Sequence, residues 1–305
     1  MSSDLEILQR EMEPHNSEKS AKLIVSGNEI LDEVRIEGIS LDVKRNGEVF
    51  DIDLVVEENV KLENPIHVCF GAIHDEVNQN INFKILVKKN SVVNFISHCV
   101  LTSEKKINHK MNSVVEIMDG ASYSYFEKHL HSDDGDININ SDVKMKVGKN
   151  VRVKIDYNLV KGRFGNSEFI YDIDVGEKSK VDMESKMSLS RDDKGLLDEK
   201  VSLNGKDSGA VVKSRVVVRE NSVMNVRNRI VANEEGCVGH IDCSEVLLDN
   251  GKTCAYPEAI VNHPKARVTH EAALGGIDNK KLETLMARGL SEKEAEDLIL
   301  EGMLG

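Results

Sequence analysis

Cys243 stands seven residues after Gly236, and Glu271 stands seven residues after Pro264. If these two turn residues are equivalent points of a repeating coil, Cys243 and Glu271 occupy one position in adjacent coils. Equal offsets have equal parity, so both side chains then point the same way. A thiolate and a carboxylate stacked one strand spacing apart can hold a soft or borderline metal such as iron. His270, one residue before Glu271, faces away unless a bulge rotates it. The residues also fit a core cysteine and a surface glutamate, and on spacing alone that plainer reading is the commoner one.

Other chemistry-bearing residues are less informative. His129 and His131 flank Leu130 and share one side of a strand. They could hold a metal, but two histidines on a strand are more often solvated, and that is the expectation. Gly251-Lys252-Thr253 imitates the end of a phosphate-binding loop, yet the position that loop reserves for its first glycine is Val246, so a plain β-turn is expected. Asp133-Asp134 and Asp192-Asp193 are the carboxylate pairs that a β-helix enzyme acting on carbohydrate would need, and both lie beside turns.

The elements that must position these residues follow from a repeat. Turn residues recur at Asn90, Gly120, Asn150, Ser179, Gly209, Gly236 and Pro264, and a second series runs Gly135, Gly165, Gly195, Asn221 and Gly251. Each step is close to 30 residues, with two turns and two strands per step. Between turns, apolar residues alternate with polar ones, as in Val151, Val153, Ile155, Tyr157 and Leu159 against Arg152, Lys154, Asp156 and Asn158. Period-two alternation marks half-buried strands. A fixed period with two such strands predicts a mainly β fold, a parallel β-helix, right-handed by the usual chirality of parallel connections. Its core is expected over residues 41–277, after a small, partly helical region over 1–40.

That first region holds a helix candidate from Asp4 to Met12, stopped by Pro14, and a second around Ala21 to Val34, broken by Gly27. Residues 278–305 read as a helical hairpin. Leu282, Leu285 and Met286 share a face, Gly289 closes the first helix, and Ser291 with Glu294 has capping-box spacing.

Composition narrows the class. The chain has 305 residues and a net charge of -13, which makes nucleic acid and anionic membrane surfaces poor partners. Aromatics are 4% with no Trp, against base or sugar stacking. No apolar run reaches membrane-spanning length, and no signal peptide is visible at the N-terminus. Five cysteines, an odd count without disulfide or zinc spacing, suggest reduced thiols and a cytoplasmic location.

The last hundred residues carry a specific pattern. They read Gly-His-Ile-Asp-Cys at 239–243, Ser-Glu-Val-Leu-Leu at 244–248 and Tyr-Pro-Glu-Ala at 256–259. His-Pro-Lys-Ala-Arg-Val-Thr-His-Glu-Ala follows at 263–272, then Leu-Met-Ala-Arg-Gly-Leu-Ser-Glu-Lys-Glu-Ala at 285–295. This strongly resembles the SufB/SufD family of iron–sulfur cluster assembly scaffolds; over the central repeat the similarity is diffuse. The resemblance implies a right-handed parallel β-helix whose end pairs with a partner scaffold. It implies a C-terminal helical domain that docks a SufC-like ABC-type ATPase through residues 278–304, and a transient iron–sulfur cluster at the scaffold junction.

Cys243 matches the family's SufB cysteine and Glu271 its glutamate, and His270 falls where the SufD histidine aligns. A single chain carrying all three implies a homodimer, a 2:2 complex with the ATPase, and delivery to recipient apoproteins. The scaffold itself would not be an enzyme, since ATP hydrolysis belongs to the partner. The chain is shorter than typical family members and shows no flavin motif. Cys69 and Cys99 are candidates by type for an upstream SufB cysteine, but neither sits in a recognisable motif, which leaves any sulfur route open. The alternatives are a carbohydrate-active β-helix enzyme and a cofactor-free structural adaptor.

Overall fold

A computed structural model describes residues 3–12, 20–74 and 76–305. α1 (Asp4–Glu11) precedes β1 (Lys22–Ser26), β2 (Glu29–Val34), β3 (Ile39–Asn46) and β4 (Val49–Val56). The coils run through β5 (Ile66–Ala72), β6 (Val77–Val87), β7 (Val92–Leu101), β8 (Lys106–Ile117), β9 (Ser122–His131), β10 (Asp136–Val147), β11 (Arg152–Leu159) and β12 (Asn166–Val175). They continue through β13 (Lys180–Leu189), β14 (Lys194–Leu203), β15 (Gly209–Val218), β16 (Val223–Ala232), β17 (Val238–Leu247), β18 (Lys252–Val261) and β19 (Arg267–Gly275). Two helices close the chain, α2 (Asn279–Met286) and α3 (Glu292–Leu304).

Successive strands alternate between two sheets. One has ten strands in the order β19-β17-β15-β13-β11-β9-β7-β5-β1-β2, and the other nine in the order β18-β16-β14-β12-β10-β8-β6-β4-β3. Pairing is parallel from coil to coil; among the described residues only the β1–β2 and β3–β4 hairpins at the N-terminal end are antiparallel. The expected parallel β-solenoid is therefore present. Its interior is one continuous apolar column, from Leu23 and Phe50 through Phe95, Ile155 and Met187 to Ile241 and Cys243.

The turns explain the period. Positive φ recurs at Asn59, Asn90, Gly120, Asn150, Lys178, Asp207 and Gly236, a left-handed corner once per coil. Each corner amide from Asn59 to Asp207 donates to a carbonyl of the next coil, as Asn90 N does to Asp119 O at 3.1 Å. Asparagine suits such corners because it tolerates this conformation and can ladder: Asn90 Nδ2 donates to Asn59 Oδ1 at 3.2 Å. The corner falls on Lys178 and Asp207, whereas the sequence series marks Ser179 and Gly209. The series is back in phase at Gly236, and a further slip of one residue at Pro264 matters at the site.

The N-terminal region differs from expectation in one element. Asp4–Glu11 is a helix with Ser3 and Glu6 forming a capping box; Pro14 lies outside the described residues. Ala21–Val34, however, is the β1–β2 hairpin, turning at Gly27 with φ 53°. Leu23, Ile24 and Val25 are all buried because both faces of β1 are covered. Leu23 and Val25 face the solenoid core, while Ile24 packs with Leu8 and Met12 on the other side. A strand covered on both sides has no alternation to betray it.

At the other end, Gly289 has φ 98° and Ser291 caps α3 with Glu294 in a capping box. Leu300 and Leu304 pack on Val217, on the outer face of β15. α2 buries no residue, and Met286 and Leu298 remain 40% and 48% exposed. Among the described residues, no helix is long and apolar enough to cross a membrane.

Candidate functional site at the open end of the solenoid

The last coil has no coil above it. β18 and β19 are the edge strands, and Tyr256, Ile260, Val261 and Leu274 are exposed on them. Unpaired strand edges with apolar side chains favour association.

Cys243 lies one strand behind this edge, on β17, and is only 1% exposed. Its thiol donates to Asn228 Oδ1 at 3.2 Å, and the same oxygen accepts from Ser214 Oγ at 3.3 Å. Asn228 Nδ2 in turn donates to Glu199, whose other oxygen accepts from Ser185 Oγ at 2.5 Å. A polar thread thus runs inside the solenoid beneath Cys243. Burial pushes the Cys243 thiol up to about 12 and the Glu199 carboxyl up to about 8. The resting thiol is protonated, so a metal must displace its proton to bind.

The register of the last ladder corrects the sequence reading. Val238 pairs with Arg267, a step of 29 residues, while Glu271 follows Cys243 by 28. Cys243 therefore sits beside Ala272, Asp242 beside Glu271, and Ile241 beside His270. His270 shares a face with Cys243, and Glu271 leaves the opposite, outer face beside the Arg215–Asp242 ion pair, whose shortest contact is 2.5 Å. Extended back from Val238 and Arg267, the ladder aligns Gly236 with Lys265 and not with Pro264, which shifts the equal offsets by one residue. His270 and Glu271 are both exposed.

Glu245 was not foreseen. It follows Cys243 by two residues, shares its face, and is 1% exposed with neither carboxylate oxygen in a hydrogen bond. Burial pushes it up to about 7, against the opposing pull of Arg215. Ser214, the ladder neighbour of Cys243, lies close to both groups. The parity of Cys243 and Glu245 was available in the Ser-Glu-Val-Leu-Leu segment. A groove of about 860 Å³ opens between the last coils and α3, lined in part by Glu245, Leu274, Leu298 and Met303.

The remaining candidates separate clearly. Cys254 is exposed on β18 and outside the Cys243 network. His129 and His131 are buried, not solvated, because their side of β9 faces the solenoid interior. Gly251-Lys252-Thr253 is the turn into β18, with Gly251 N donating to Leu248 O at 3.0 Å. Asp193 is buried and accepts from Arg163 Nε and the amides of Phe164, Gly165 and Ser190, so it holds a turn together. Asp134 is engaged by Arg191 at 2.8 Å.

Comparison with known proteins gives the family. Residues 71–303 match the family model described as SUF system FeS cluster assembly, SufBD core domain. An iron–sulfur cluster assembly SufBD family protein of Methanocaldococcus jannaschii is 34% identical over 287 residues, 94% of this chain and 91% of the relative. One from Pyrococcus horikoshii is 31% identical over 285 residues, covering 93% and 87%. The iron–sulfur cluster assembly protein SufB of Bacillus subtilis is 31% identical over 71 residues, 23% of this chain and 15% of SufB. A solenoid matched over most of its coils, and two relatives aligned nearly end to end, place the chain in the SufBD family of iron–sulfur cluster assembly proteins.

Proposed function

We propose that this chain is a non-enzymatic scaffold on which an iron–sulfur cluster is built at the open end of the solenoid. The observation that carries the reading is Cys243, a buried thiol one strand behind an apolar, unpaired edge. Two protomers joining through β18 and β19 would bring two such thiols towards a common axis, and a closed two-fold pair is the usual way to satisfy exposed edges. Cys243 supplies the soft ligand, His270 joins it from the same face, and Glu271 contributes an oxygen from the rim of the edge strand. Oxygen and nitrogen ligands beside a thiolate suit a cluster that must be released to recipient apoproteins.

Iron binding displaces the Cys243 proton. Glu245, pushed up to about 7 and on the same face two residues away, is the group placed to accept it. The driving motion comes from a SufC-like ABC-type ATPase docked on residues 278–304, where α2 is unburied and Met286 and Leu298 are exposed. A 2:2 assembly follows, in the cytoplasm, where thiols stay reduced; all five cysteines are free. Light scattering of the purified chain should give a dimer at micromolar concentration. A stable monomer there contradicts assembly through the terminal coils.

A further inference from the structure

Far from the open end, the solenoid interior holds a second cluster of ligating groups. Cys99 on β7 is the direct ladder neighbour of His129 on β9, and Glu127 precedes His129 by two residues, so all three share the inward face. All three are buried. One ligand atom from each lies within 4.8 Å of the others. Cys99 Sγ is 3.7 Å from Glu127 Oε1, and that oxygen is 2.9 Å from His129 Nε2. Around a tetrahedral ion with bonds of about 2.0–2.3 Å, such atoms stand roughly 3.3–3.6 Å apart. The sulfur–oxygen and oxygen–nitrogen separations are each within about half an ångström of such an edge, and the third pair lies within 4.8 Å.

The hydrogen-bond chain fixes the protons. The Arg163 carbonyl can only accept, so His131 Nδ1 donates to it at 2.6 Å. His131 Nε2 is then the acceptor for His129 Nδ1, at 3.1 Å. His129 Nε2 faces Glu127 with one proton between the two residues. His129 is thereby oriented by a second histidine and a backbone carbonyl, the outer support that metal-binding histidines have.

We propose that Cys99, Glu127 and His129 form an interior binding site for a divalent cation of borderline softness, iron(II) or zinc(II). The ion would replace two protons, that of the Cys99 thiol and that shared by His129 and Glu127. Thiolate, carboxylate and neutral imidazole then carry two negative charges against the ion's two positive ones. The net charge is unchanged, so no unbalanced charge is placed in the apolar column. A cavity of about 30 Å³ borders Glu127 and is also lined by Tyr123, Tyr125 and Ser141. It is large enough for one water beside Glu127.

Cobalt(II) tests the site, because tetrahedral cobalt with a thiolate ligand shows intense ligand-field bands and a sulfur charge-transfer band. The full-length chain is titrated with cobalt both after folding and during refolding, since the site is enclosed. One equivalent with a thiolate band is expected by at least one route, displaced by zinc(II). Cys99→Ser should lose the band and bind at least about tenfold more weakly, while Cys237→Ser keeps it; all titrations use the Cys243→Ser background, so that the open-end thiol adds no band of its own. If Cys99→Ser does not fold, Glu127→Gln is read instead and should weaken binding by a similar factor. No stoichiometric binding by either route, or a band surviving in the folded variant, would overturn the proposal.

Discussion

His270 and Cys243 leave the same face of the last parallel ladder: His270 pairs with Ile241, two residues before the thiol. Glu271 leaves the other face. His270→Ala should therefore lower iron retention after anaerobic reconstitution more than Glu271→Ala does. Iron per chain after gel filtration measures both. Equal loss in the two variants would mean that the edge strand turns on dimerisation.

Glu245 gives a kinetic expectation. If it takes the proton from Cys243, iron loading of the wild type accelerates as pH rises through about 7, where its carboxylate form appears. Glu245→Gln should load more slowly and lose that inflection, while the final iron content stays similar. Stopped-flow absorbance across the neutral range reads both quantities.

Glu199 gives a stability expectation. Its folded-state value of about 8 lies above the ordinary carboxylate value of 4.5, with burial as the main cause. The folded protein therefore holds a proton that the unfolded chain has released. Stability falls as pH rises from about 4.5 and levels off above about 8. Glu199→Gln removes this loss and can still join Ser185 and Asn228. It should be more stable than wild type at pH 9 by roughly 2–4 kcal/mol, with a smaller difference at pH 5, in urea unfolding.

The C-terminal helices separate docking from folding. Leu298 and Met286 are exposed, whereas Leu300 is buried against Val217. Leu298→Asp or Met286→Asp should abolish capture of a SufC-like ATPase with little change in melting temperature. Leu300→Asp should lower the melting temperature itself, because it places an unpaired charge in a packed apolar contact.

Much of the architecture was legible because a solenoid repeats its physics. Asn90, Gly120, Asn150 and Gly236 are left-handed corners, and alternation such as Val151 to Leu159 reports one buried face. The capping box at Ser291 and the turn at Gly289 were equally local. What failed was phase and burial. Gly236 is a true corner, but Pro264 stands one residue before the position that aligns with it, so the series slipped by one residue at its last step and put Glu271 on the face that His270 occupies. β1 looked helical because packing on both sides erased its alternation. Polarity normally signals surface, which is why His129 and His131 read as solvated, whereas Glu127 and the Arg163 carbonyl partner them inside the column. Contacts between strands some 30 residues apart leave no local signature.

The central claim is that Cys243 holds the cluster. Mössbauer and ultraviolet–visible spectra after anaerobic reconstitution with enriched iron and sulfide test it directly, comparing wild type, Cys243→Ser and Cys254→Ser. Wild type and Cys254→Ser should show the same iron–sulfur signature, and Cys243→Ser should show little or none. A normal cluster in Cys243→Ser, with loss in Cys254→Ser, would contradict the account.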